Sequence, residues 1–381
     1  MTSWFEQLVG EENVSDEIID REVYSTDGSQ IAGKASKIIW VTEPKQIHQI
    51  ILYAKRNKIG IVPRGSGTSL VGGTIPNNSI VIDLTKMNKI ISIEKDSVTV
   101  EPGVILDDLN VSLKDNFFPI LPDDSAVCTM GGMCAINSSG KYEKRFGRMK
   151  DLVLEIEMID GNGKLRTYGN ELVGTEGIFG VFTKIKLKTA KKITERSLSV
   201  FKFNTIEETM TKVSSLSYNR ECISIEFIDP LAAILSSLEK KYYLIVEYEG
   251  FEGDIKNENE IKRILNIREN MFKNLASNDF IFIEDPHLPS ENMAEFLYWL
   301  NKRNIPCYGP IGSGTIFPCF KTREEAHEMY NFILSLRGSA GRLSGVGILR
   351  KNFVNETLKE EVKRLKEKLD PNYIMNPGKV I

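Results

Sequence analysis

The chain has 381 residues, of which 41% are hydrophobic and 27% are charged, and its formal net charge is −3. These proportions are typical of a globular protein with enough apolar material for two or three domains. The balanced charge gives no basic stripe that would indicate nucleic-acid binding. The sequence contains no run of about 20 apolar residues, so no membrane-spanning helix is predicted. Peripheral membrane association stays open.

The cysteines and the N-terminal residues bear on the cellular compartment. The five cysteines lack the spacing of a metal site or a disulfide framework, and they are Cys128, Cys134, Cys222, Cys307 and Cys319. An odd, sparse set favours reduced thiols. The first residues do not combine a basic region with an apolar stretch, so no secretory signal is predicted. We therefore expect a cytoplasmic location.

The first half of the chain alternates β-rich runs with a helical segment. Strands are predicted at 36–42, 59–63, 79–87 and 97–106. Residues 43–58 predict a helix, because their apolar side chains recur at helical spacing. Residues 152–169 predict a hairpin that turns at Asp160–Gly163. This order indicates an α/β start built on a sheet.

The pattern changes after Lys188 and indicates a second domain of α+β type. Strands are predicted at 198–203, 222–229 and 242–250, with helical segments at 207–216 and 254–275. The C-terminal residues predict a charged amphipathic helix that stops before Asp370–Pro371. An apolar terminal strand or coil follows it.

A glycine-rich loop, VPRGSGTSLVGGTIP, occupies residues 62–76. Such a turn exposes consecutive backbone N–H groups that can cradle a phosphate, and Arg64 adds positive charge. Thr68 and Ser69 add hydroxyl donors. Neither G-x-x-x-x-G-K-[ST] nor G-x-G-x-x-G fits the loop, and a tight surface turn explains it equally well.

Two further glycine clusters favour a ligand over coincidental turns. Counting the loop at 62–76 as the first glycine segment, the second contains Gly131–Gly132 and Asn137–Gly140, and the third contains Gly174, Gly177 and Gly180. Three glycine loops in one half of the chain indicate a large ligand that the backbone wraps.

Four motifs, in this order, resemble those of FAD-binding oxidoreductases of the vanillyl-alcohol-oxidase (PCMH-type) superfamily. They are PRGSGTSLVGG from Pro63, TMGGMCAINSSG from Thr129, GTEGIFGVFTKIKL from Gly174 and LDPNYIMNPGKVI from Leu369. The resemblance covers nearly the whole chain. Within the superfamily it points to the branch of D-lactate dehydrogenase, glycolate oxidase and 2-hydroxyglutarate dehydrogenase.

The resemblance implies an α+β fold, with a PCMH-type two-subdomain FAD-binding domain and an inserted α+β substrate (cap) domain. The implied limits are 1–190 for the FAD-binding domain and 191–330 for the substrate domain. Residues 331–381 would form a C-terminal segment that returns to the FAD domain.

The resemblance also assigns cofactor roles to individual residues. The loop that grips the FAD pyrophosphate matches Pro63, Arg64, Gly65, Ser66, Gly67, Thr68, Ser69, Gly72 and Gly73. The segment along the flavin matches Pro122, Asp123, Ser125, Thr129, Gly132, Ala135, Asn137 and Gly140. The segment near the ribose and adenine matches Glu176, Gly177, Ile178 and Val181, and Asn376 matches a position near the isoalloxazine. Relatives with covalent flavin use a His in this loop or elsewhere near the ring. The loop here contains no His, so we expect non-covalent FAD.

Two residues of the second half are candidates for catalysis. The family's W-x-x-R-E segment corresponds to residues 265–269, with Arg268 as the arginine that would bind a substrate carboxylate. A solvated helix arginine explains the same residue equally well. His287 is a candidate base for the hydroxyl proton, although a capping or packing role is an alternative. Tyr308 and Arg342 are weaker candidates for the same role.

The metal-binding pattern of many relatives is missing. The stretch that matches their G-H-x-G-D-G-N-x-H segment is GPIGSGTIF, with Pro310 and Phe317 in place of the histidines. The stretch that matches G-E-H-G-x-G has Leu343 and Ser344 in place of a further ligand and a histidine. Proline, phenylalanine and leucine cannot coordinate a metal, so none is predicted.

These features together predict an FAD-dependent dehydrogenase that oxidises a small 2-hydroxy acid, similar to D-lactate, by hydride transfer to the flavin. The electron acceptor would be a quinone, a flavoprotein or an iron–sulfur partner rather than NAD. Two alternatives stay open: an FAD-carrying electron-transfer subunit of a larger complex, and an enzyme that oxidises a sugar or lactone. The oligomeric state, homomeric or heteromeric, stays open as well.

Overall fold

The computed structural model describes residues 3–341 and 344–380, which divide into two compact units. The first unit takes the described residues within Met1–Ser138, Arg148–Lys191 and Leu343–Ile381. The second takes those within Ser139–Gly147 and Lys192–Arg342. Each unit therefore joins stretches that are distant in the chain.

Strands and helices are numbered in chain order. The strands of the first unit are β1 (Val14–Ser15), β2 (Lys34–Trp40), β3 (Ile61–Arg64), β4 (Asn77–Asp83), β5 (Ile90–Ile93), β6 (Ser97–Val100), β7 (Asn116–Phe117), β8 (Val153–Asp160), β9 (Leu165–Tyr168), β10 (Gly180–Lys188) and β11 (Ala190–Lys191). Its helices up to residue 152 are α1 (Trp4–Val9), α2 (Ile18–Tyr24), α3 (Pro44–Asn57), α4 (Leu106–Ser112), α5 (Met130–Ile136) and α7 (Met149–Leu152). Helix α6 (Glu143–Phe146) belongs to the second unit. Short 3-10 turns lie at Glu11–Asn13, Ser290–Asn292, Ile311–Ser313 and Lys351–Phe353.

The first sheet of the first unit has the strand order β1-β2-β4-β3. Strands β2, β4 and β3 run parallel, and β1 pairs antiparallel with β2. Helix α3 buries Ile47, Ile50, Ile51 and Ala54 in the core of this sheet, which confirms the helix predicted over 43–58. Its first turn carries a proline and a capping box, both of which favour helix initiation.

The second sheet is antiparallel, with the order β5-β6-β10-β8-β9, and β7 pairs with β11 beside it. Strands β8 and β9 form the predicted hairpin, whose turn is closed by Asp160 N donating to Lys164 O at 3.0 Å. This sheet and α5 share a hydrophobic core that is distinct from that of the first sheet. The first unit thus consists of two subdomains.

The C-terminal residues return to the first sheet. Helix α14 (Glu356–Leu369) is followed by a short extended stretch, 374–376, that lies beside β3. Ile61 N donates to Ile374 O and Asn376 N donates to Ile61 O, both at 2.7 Å. The terminal segment therefore extends the edge of the parallel sheet.

The second unit is built on an antiparallel sheet with the order β12-β14-β13-β16-β17-β15. Its strands are β12 (Arg196–Phe203), β13 (Cys222–Ile228), β14 (Tyr242–Glu249), β15 (Phe282–Ile283), β16 (Cys307–Gly309) and β17 (Phe317–Phe320). Besides α6, its helices are α8 (Ile206–Ser217), α9 (Pro230–Leu235), α10 (Glu258–Glu269), α11 (Met271–Ala276), α12 (Met293–Lys302) and α13 (Arg323–Ser335). This mixture of layers, together with the first unit, confirms the predicted α+β class.

Two differences from the sequence analysis concern the second unit. The helix expected over 254–275 is interrupted at Asn270, whose side-chain amide donates to Asn266 O at 2.8 Å. The unit also includes Ser139–Gly147. In this stretch Tyr142, which directly precedes α6, donates from Oη to Glu247 Oε1 at 2.7 Å. Within 3–341 and 344–380, no helix is both long and apolar enough to cross a membrane.

Candidate functional site

The parallel strands of the first sheet end in register at Trp40, Asp83 and Arg64. Ligands of open α/β sheets bind outside the carboxyl ends of such strands. Here Tyr24 Oη donates to Asp83 Oδ2 at 2.6 Å, and Trp40 Nε1 donates to Tyr24 Oη at 2.9 Å. Burial and the neighbouring Asp83 carboxylate raise the pKa of Tyr24. A hydrogen-bonded group of polar side chains thus lies at the end of β3, where the glycine-rich loop begins.

Arg64 packs beneath the glycine-rich loop. Its Nη1 donates to Thr26 O at 2.7 Å, and its guanidinium carbon lies 5.0 Å from the ring centroid of Tyr24. Gly67 has a φ of +73°, and a Cβ at that position would lie 2.2 Å from Arg64 Nη2. The loop therefore needs glycine here both for its backbone conformation and for its close approach to the guanidinium.

The loop presents backbone donors without protein acceptors. Within the described part of the chain, the N–H groups of Ser66, Gly67, Thr68 and Ser69 have no hydrogen-bond partner. The side chain of Ser69 instead accepts from Gly73 N at 2.9 Å. Consecutive unpaired N–H groups in a glycine turn are the donor set that suits a pyrophosphate.

The second glycine segment adjoins this loop and carries α5. Ser66 Oγ donates to Val127 O, next to the start of the segment. Thr129 caps α5 by accepting from Gly132 N at 3.2 Å, and Asn137 ends the helix with a left-handed φ of +54°. Cys134 lies buried in α5, where burial raises the pKa of its thiol, so it is a packing residue.

The third glycine segment is fastened to α5 and to the C-terminal segment. Gly174 N donates to Cys134 O at 3.0 Å and Glu176 N donates to Ala135 O at 2.8 Å. The Glu176 carboxylate is buried and accepts from Val346 N at 2.6 Å and from Gly347 N at 2.8 Å. Burial raises the pKa of Glu176 to about 7, although these two amides lower it.

Asn376 joins the first and third segments. Its Nδ2 donates to Gly73 O at 3.0 Å and to Glu176 O at 2.7 Å. Its Oδ1 is buried, and among the described residues no group donates to it. Hydrogen bonds thus connect the three glycine segments and the tail, which carry unpaired backbone donors and one unpaired acceptor among the described residues. This donor and acceptor set fits FAD.

Other residues expected at the cofactor have different surroundings. Ile178 and Val181 are buried in the two hydrophobic cores of the first unit. Gly140 belongs to the second unit. Pro122, Asp123 and Ser125 lie in a partly exposed stretch that precedes Val127. Arg350 is buried beside the tail and donates to Gly345 O at 3.1 Å.

The sequence analysis missed a segment that supports the loop from the N-terminal side. Asp27 Oδ2 accepts from Thr74 Oγ1 at 3.2 Å, and Gly28 N donates to Gly67 O at 3.3 Å. The dipeptide Asp27–Gly28 is a turn signal that could have marked this segment, but nothing local connects it to residues 67–74.

In the second unit, Arg268 is buried near the end of α10, which excludes a solvated helix arginine. Its Nε donates to Glu226 Oε2 at 2.7 Å. Its guanidinium carbon lies 5.4 Å from the ring centroid of Tyr308 and 5.7 Å from that of Phe317. The aromatic residue that stands in place of a metal-binding histidine therefore packs against the arginine.

His287 is half-buried and its backbone is held on both sides. His287 N donates to Ser339 O at 3.1 Å, Ser339 N donates back at 2.9 Å, and a second bridge pairs His287 with Thr315. Thr315 comes two residues before Phe317, so the hairpin of β16 and β17 approaches both catalytic candidates. Arg342 and Leu343 lie outside the described residues.

No metal cluster is formed by the part of the chain that the structure describes, since no group of three or more His, Cys, Asp or Glu side chains is close enough to bind an ion. The five cysteines are buried and free. His48 contacts Gly163 O through Nδ1 at 2.7 Å in the hairpin turn, and His327 is exposed on α13.

Comparison with known proteins agrees with this geometry. The family described as "FAD binding domain" matches residues 35–169, and the family "FAD linked oxidases, C-terminal domain" matches 312–380. The chain belongs to the PCMH-type FAD-linked oxidase superfamily, in the branch of the D-lactate dehydrogenases and glycolate oxidase, and FAD is its cofactor.

Individual relatives extend along most of the chain. The glycolate oxidase subunit GlcD of Bacillus subtilis is 27% identical, over 98% of this chain and 95% of its own length. The mitochondrial D-lactate dehydrogenase [cytochrome] of Arabidopsis thaliana is 24% identical, over 90% and 73% respectively. The D-lactate dehydrogenase of Archaeoglobus fulgidus is 23% identical, over 92% and 93%. A solved alkyldihydroxyacetonephosphate synthase has the same fold, with a TM-score of 0.68 and 16% identity over 96% of this chain and 82% of that chain.

Proposed function

We propose that this protein is an FAD-dependent dehydrogenase that oxidises small D-2-hydroxy acids such as D-lactate. In this proposal the first unit binds FAD and the second unit binds the substrate. The observation that carries the proposal is that the glycine segments and the tail are joined by hydrogen bonds and carry both unpaired N–H donors and the unpaired Asn376 Oδ1. The relatives from a plant and an archaeon, both named D-lactate dehydrogenase, support the substrate class.

FAD, when bound, supplies the hydride acceptor for oxidation of the substrate carbon that bears the hydroxyl. The protein must bind the substrate carboxylate and remove the hydroxyl proton. Arg268 is the proposed carboxylate ligand, and His287 is the proposed base. Since Arg268 already pairs with Glu226, a substrate carboxylate would share the guanidinium with that side chain.

The electrons then pass to an acceptor other than NAD, for which a quinone, a flavoprotein or an iron–sulfur protein is the proposed class. The cytoplasmic location stays a prediction. The name of the Bacillus subtilis relative, a subunit, is compatible with assembly into a larger complex.

The first experiment is an anaerobic visible spectrum of the purified protein during titration with D-lactate, L-lactate and glycolate. We expect a flavin band that D-lactate bleaches and L-lactate does not. A band that none of these acids bleaches would contradict the substrate assignment and favour an electron-transfer subunit. Absence of flavin after addition of FAD would contradict the cofactor site itself.

Replacement of Arg268 by lysine tests the carboxylate ligand. The variant keeps a cation beside Glu226 but loses the planar fork, so we expect the KM for D-lactate to rise roughly tenfold with unchanged flavin content. The matched control is Arg263→Lys, at an exposed position on the same helix. An unchanged KM in Arg268→Lys would remove this residue from the substrate site.

A second candidate substrate is a neutral alcohol, such as a sugar or lactone. The ion pair between Arg268 and Glu226 favours a neutral substrate, because the Glu226 carboxylate already neutralises the positive charge of the arginine. The same anaerobic titration with aldonolactones and sugar alcohols distinguishes the two. Bleaching by these compounds but not by hydroxy acids would select the neutral alcohol.

A further inference from the structure

Glu176 connects segments that are far apart in the chain. Its backbone N–H reaches α5, its carboxylate holds the amides of Val346 and Gly347, and its carbonyl oxygen accepts from Asn376. The side chain is therefore turned towards the C-terminal segment, although sequence resemblance placed Glu176 among the residues near the ribose and adenine.

The turn that Glu176 holds also supports the glycine-rich loop. Ile348 N donates to Val71 O at 2.9 Å. Gly347 has a φ of +54°, and a Cβ there would lie 2.1 Å from Val71 O. The turn and the loop thus pack backbone against backbone, and the Glu176 carboxylate fixes the turn from its other side.

The orientation of the Asn376 side chain follows from its two acceptors. Gly73 O and Glu176 O are both carbonyl oxygens, so the NH₂ group of Asn376 must face them. The Oδ1 atom is consequently presented as an acceptor in a buried position without a protein donor. A buried acceptor of this kind needs a partner, and an N–H or O–H group of the bound cofactor can supply one.

We propose that Glu176 is a positioning residue, which holds the 346–347 turn and orients Asn376 so that its Oδ1 accepts a hydrogen bond from an N–H or O–H group of bound FAD. The inference rests on FAD as the cofactor and not on the identity of the oxidised substrate. The FAD donor belongs either to the isoalloxazine ring or to the ribityl–ADP part, and the experiment distinguishes these sources.

The test compares Glu176→Gln with Asp160→Asn at pH 8.5, where the wild-type Glu176 is ionised. Asp160 is the control, because it is a buried carboxylate of the same unit that also binds backbone amides. Its Oδ1 accepts from Asn162 N and Lys164 N, both at 2.9 Å, and its Oδ2 accepts from Arg166 Nε at 2.9 Å. A glutamine at position 176 keeps one oxygen that can accept from one of the two amides of the 346–347 turn. Its NH₂ group would face the other amide N–H and cannot accept from it. Both variants are expected to lower the melting temperature of the apoprotein.

Only Glu176→Gln is expected to raise the Kd for FAD, by about tenfold or more in fluorescence titrations, and to reduce the FAD-induced rise in melting temperature. Asp160→Asn should keep the wild-type Kd within twofold. If both variants lose apoprotein stability and neither changes the Kd, Glu176 has only a structural role and the proposal is wrong.

Asn376→Leu tests the acceptor itself and does not depend on the folding of the Glu176 variant. We expect weaker FAD binding together with a shift of the visible flavin bands and of the flavin midpoint potential if the donor is on the isoalloxazine ring. If the donor lies in the ribityl–ADP part, the affinity for ADP should fall and the bands of bound FAD should stay in place. Unchanged affinity for both FAD and ADP would overturn the proposal, whatever the substrate turnover.

Discussion

At the scale of single residues, the buried charged groups of the first unit connect segments rather than face solvent. Lys379 Nζ donates to Ile75 O, and burial lowers the pKa of Lys379 to about 8. Glu176 is a buried acid of the same region; burial raises its pKa, and the positive charges of Arg350 and Lys379 lower it. The stability of this unit should therefore depend on pH through these side chains.

The pH dependence of the apoprotein tests the environment of Glu176. Its folded-state pKa of about 7 exceeds the ordinary value of 4.5, so the folded state binds the extra proton between these values. Stability from this group is complete below pH 4.5 and is lost as the pH rises towards 7. We expect the free energy of unfolding of the wild type to fall, relative to Glu176→Gln, by up to about 3 kcal/mol across this range. Urea unfolding from pH 4.5 to 7.5, below the pKa of Lys379, measures it. Parallel curves for the two proteins would contradict the raised pKa.

At the scale of elements, helix α14 fixes the tail through one side chain. Lys366 is buried, and its Nζ donates to Ile178 O at 2.5 Å, to Met375 O at 2.6 Å and to Asp370 Oδ2 at 2.7 Å. Asp370 in turn accepts from Met375 N at 2.8 Å. The helix, the third glycine segment and the terminal stretch beside β3 are thus held together at one ammonium group.

Replacement of Lys366 by methionine tests this connection. The variant keeps the length of the side chain but leaves the Asp370 carboxylate buried without its cation. We expect a loss of about 3–5 kcal/mol in the free energy of unfolding, as for other broken buried ion pairs. Lys368→Met, at an exposed position in the same turn, should change it by less than about 0.5 kcal/mol. Equal urea midpoints for the two variants would show that Lys366 does not stabilise the tail.

At the scale of the whole molecule, the two units have separate sheets and separate buried residues. Calorimetry of the apoprotein should therefore show two transitions. FAD should raise the melting temperature of one transition only, since the proposed FAD site consists of residues of the first unit. Phe296→Ala removes a buried ring from α12 in the second unit. It should lower the free energy of unfolding for the other transition by about 3–5 kcal/mol. A single transition shifted by both FAD and Phe296→Ala would show that the units unfold together.

The sequence by itself determined what depends on short-range pattern. The apolar spacing over 43–58 predicts α3, the Asp160–Gly163 turn predicts the β8–β9 hairpin, and the glycine motifs indicate the cofactor. These signals work because helix periodicity, turn conformation and close backbone approach are each written in a few neighbouring residues. The break at Asn270 escaped this reasoning, since the apolar pattern continues across it.

Only the tertiary structure decided which distant residues meet and which way their side chains turn. Arg64 lies beneath the loop, the Glu176 carboxylate faces the 346–347 turn, and Ile61 pairs with the stretch around Met375. The inclusion of Ser139–Gly147 in the second unit is another feature that only the tertiary structure shows. None of these contacts has a local signature, because each arises from packing between segments that are far apart in the chain. Hydrogen-bond demand in the buried interior then selects the orientation of each polar side chain.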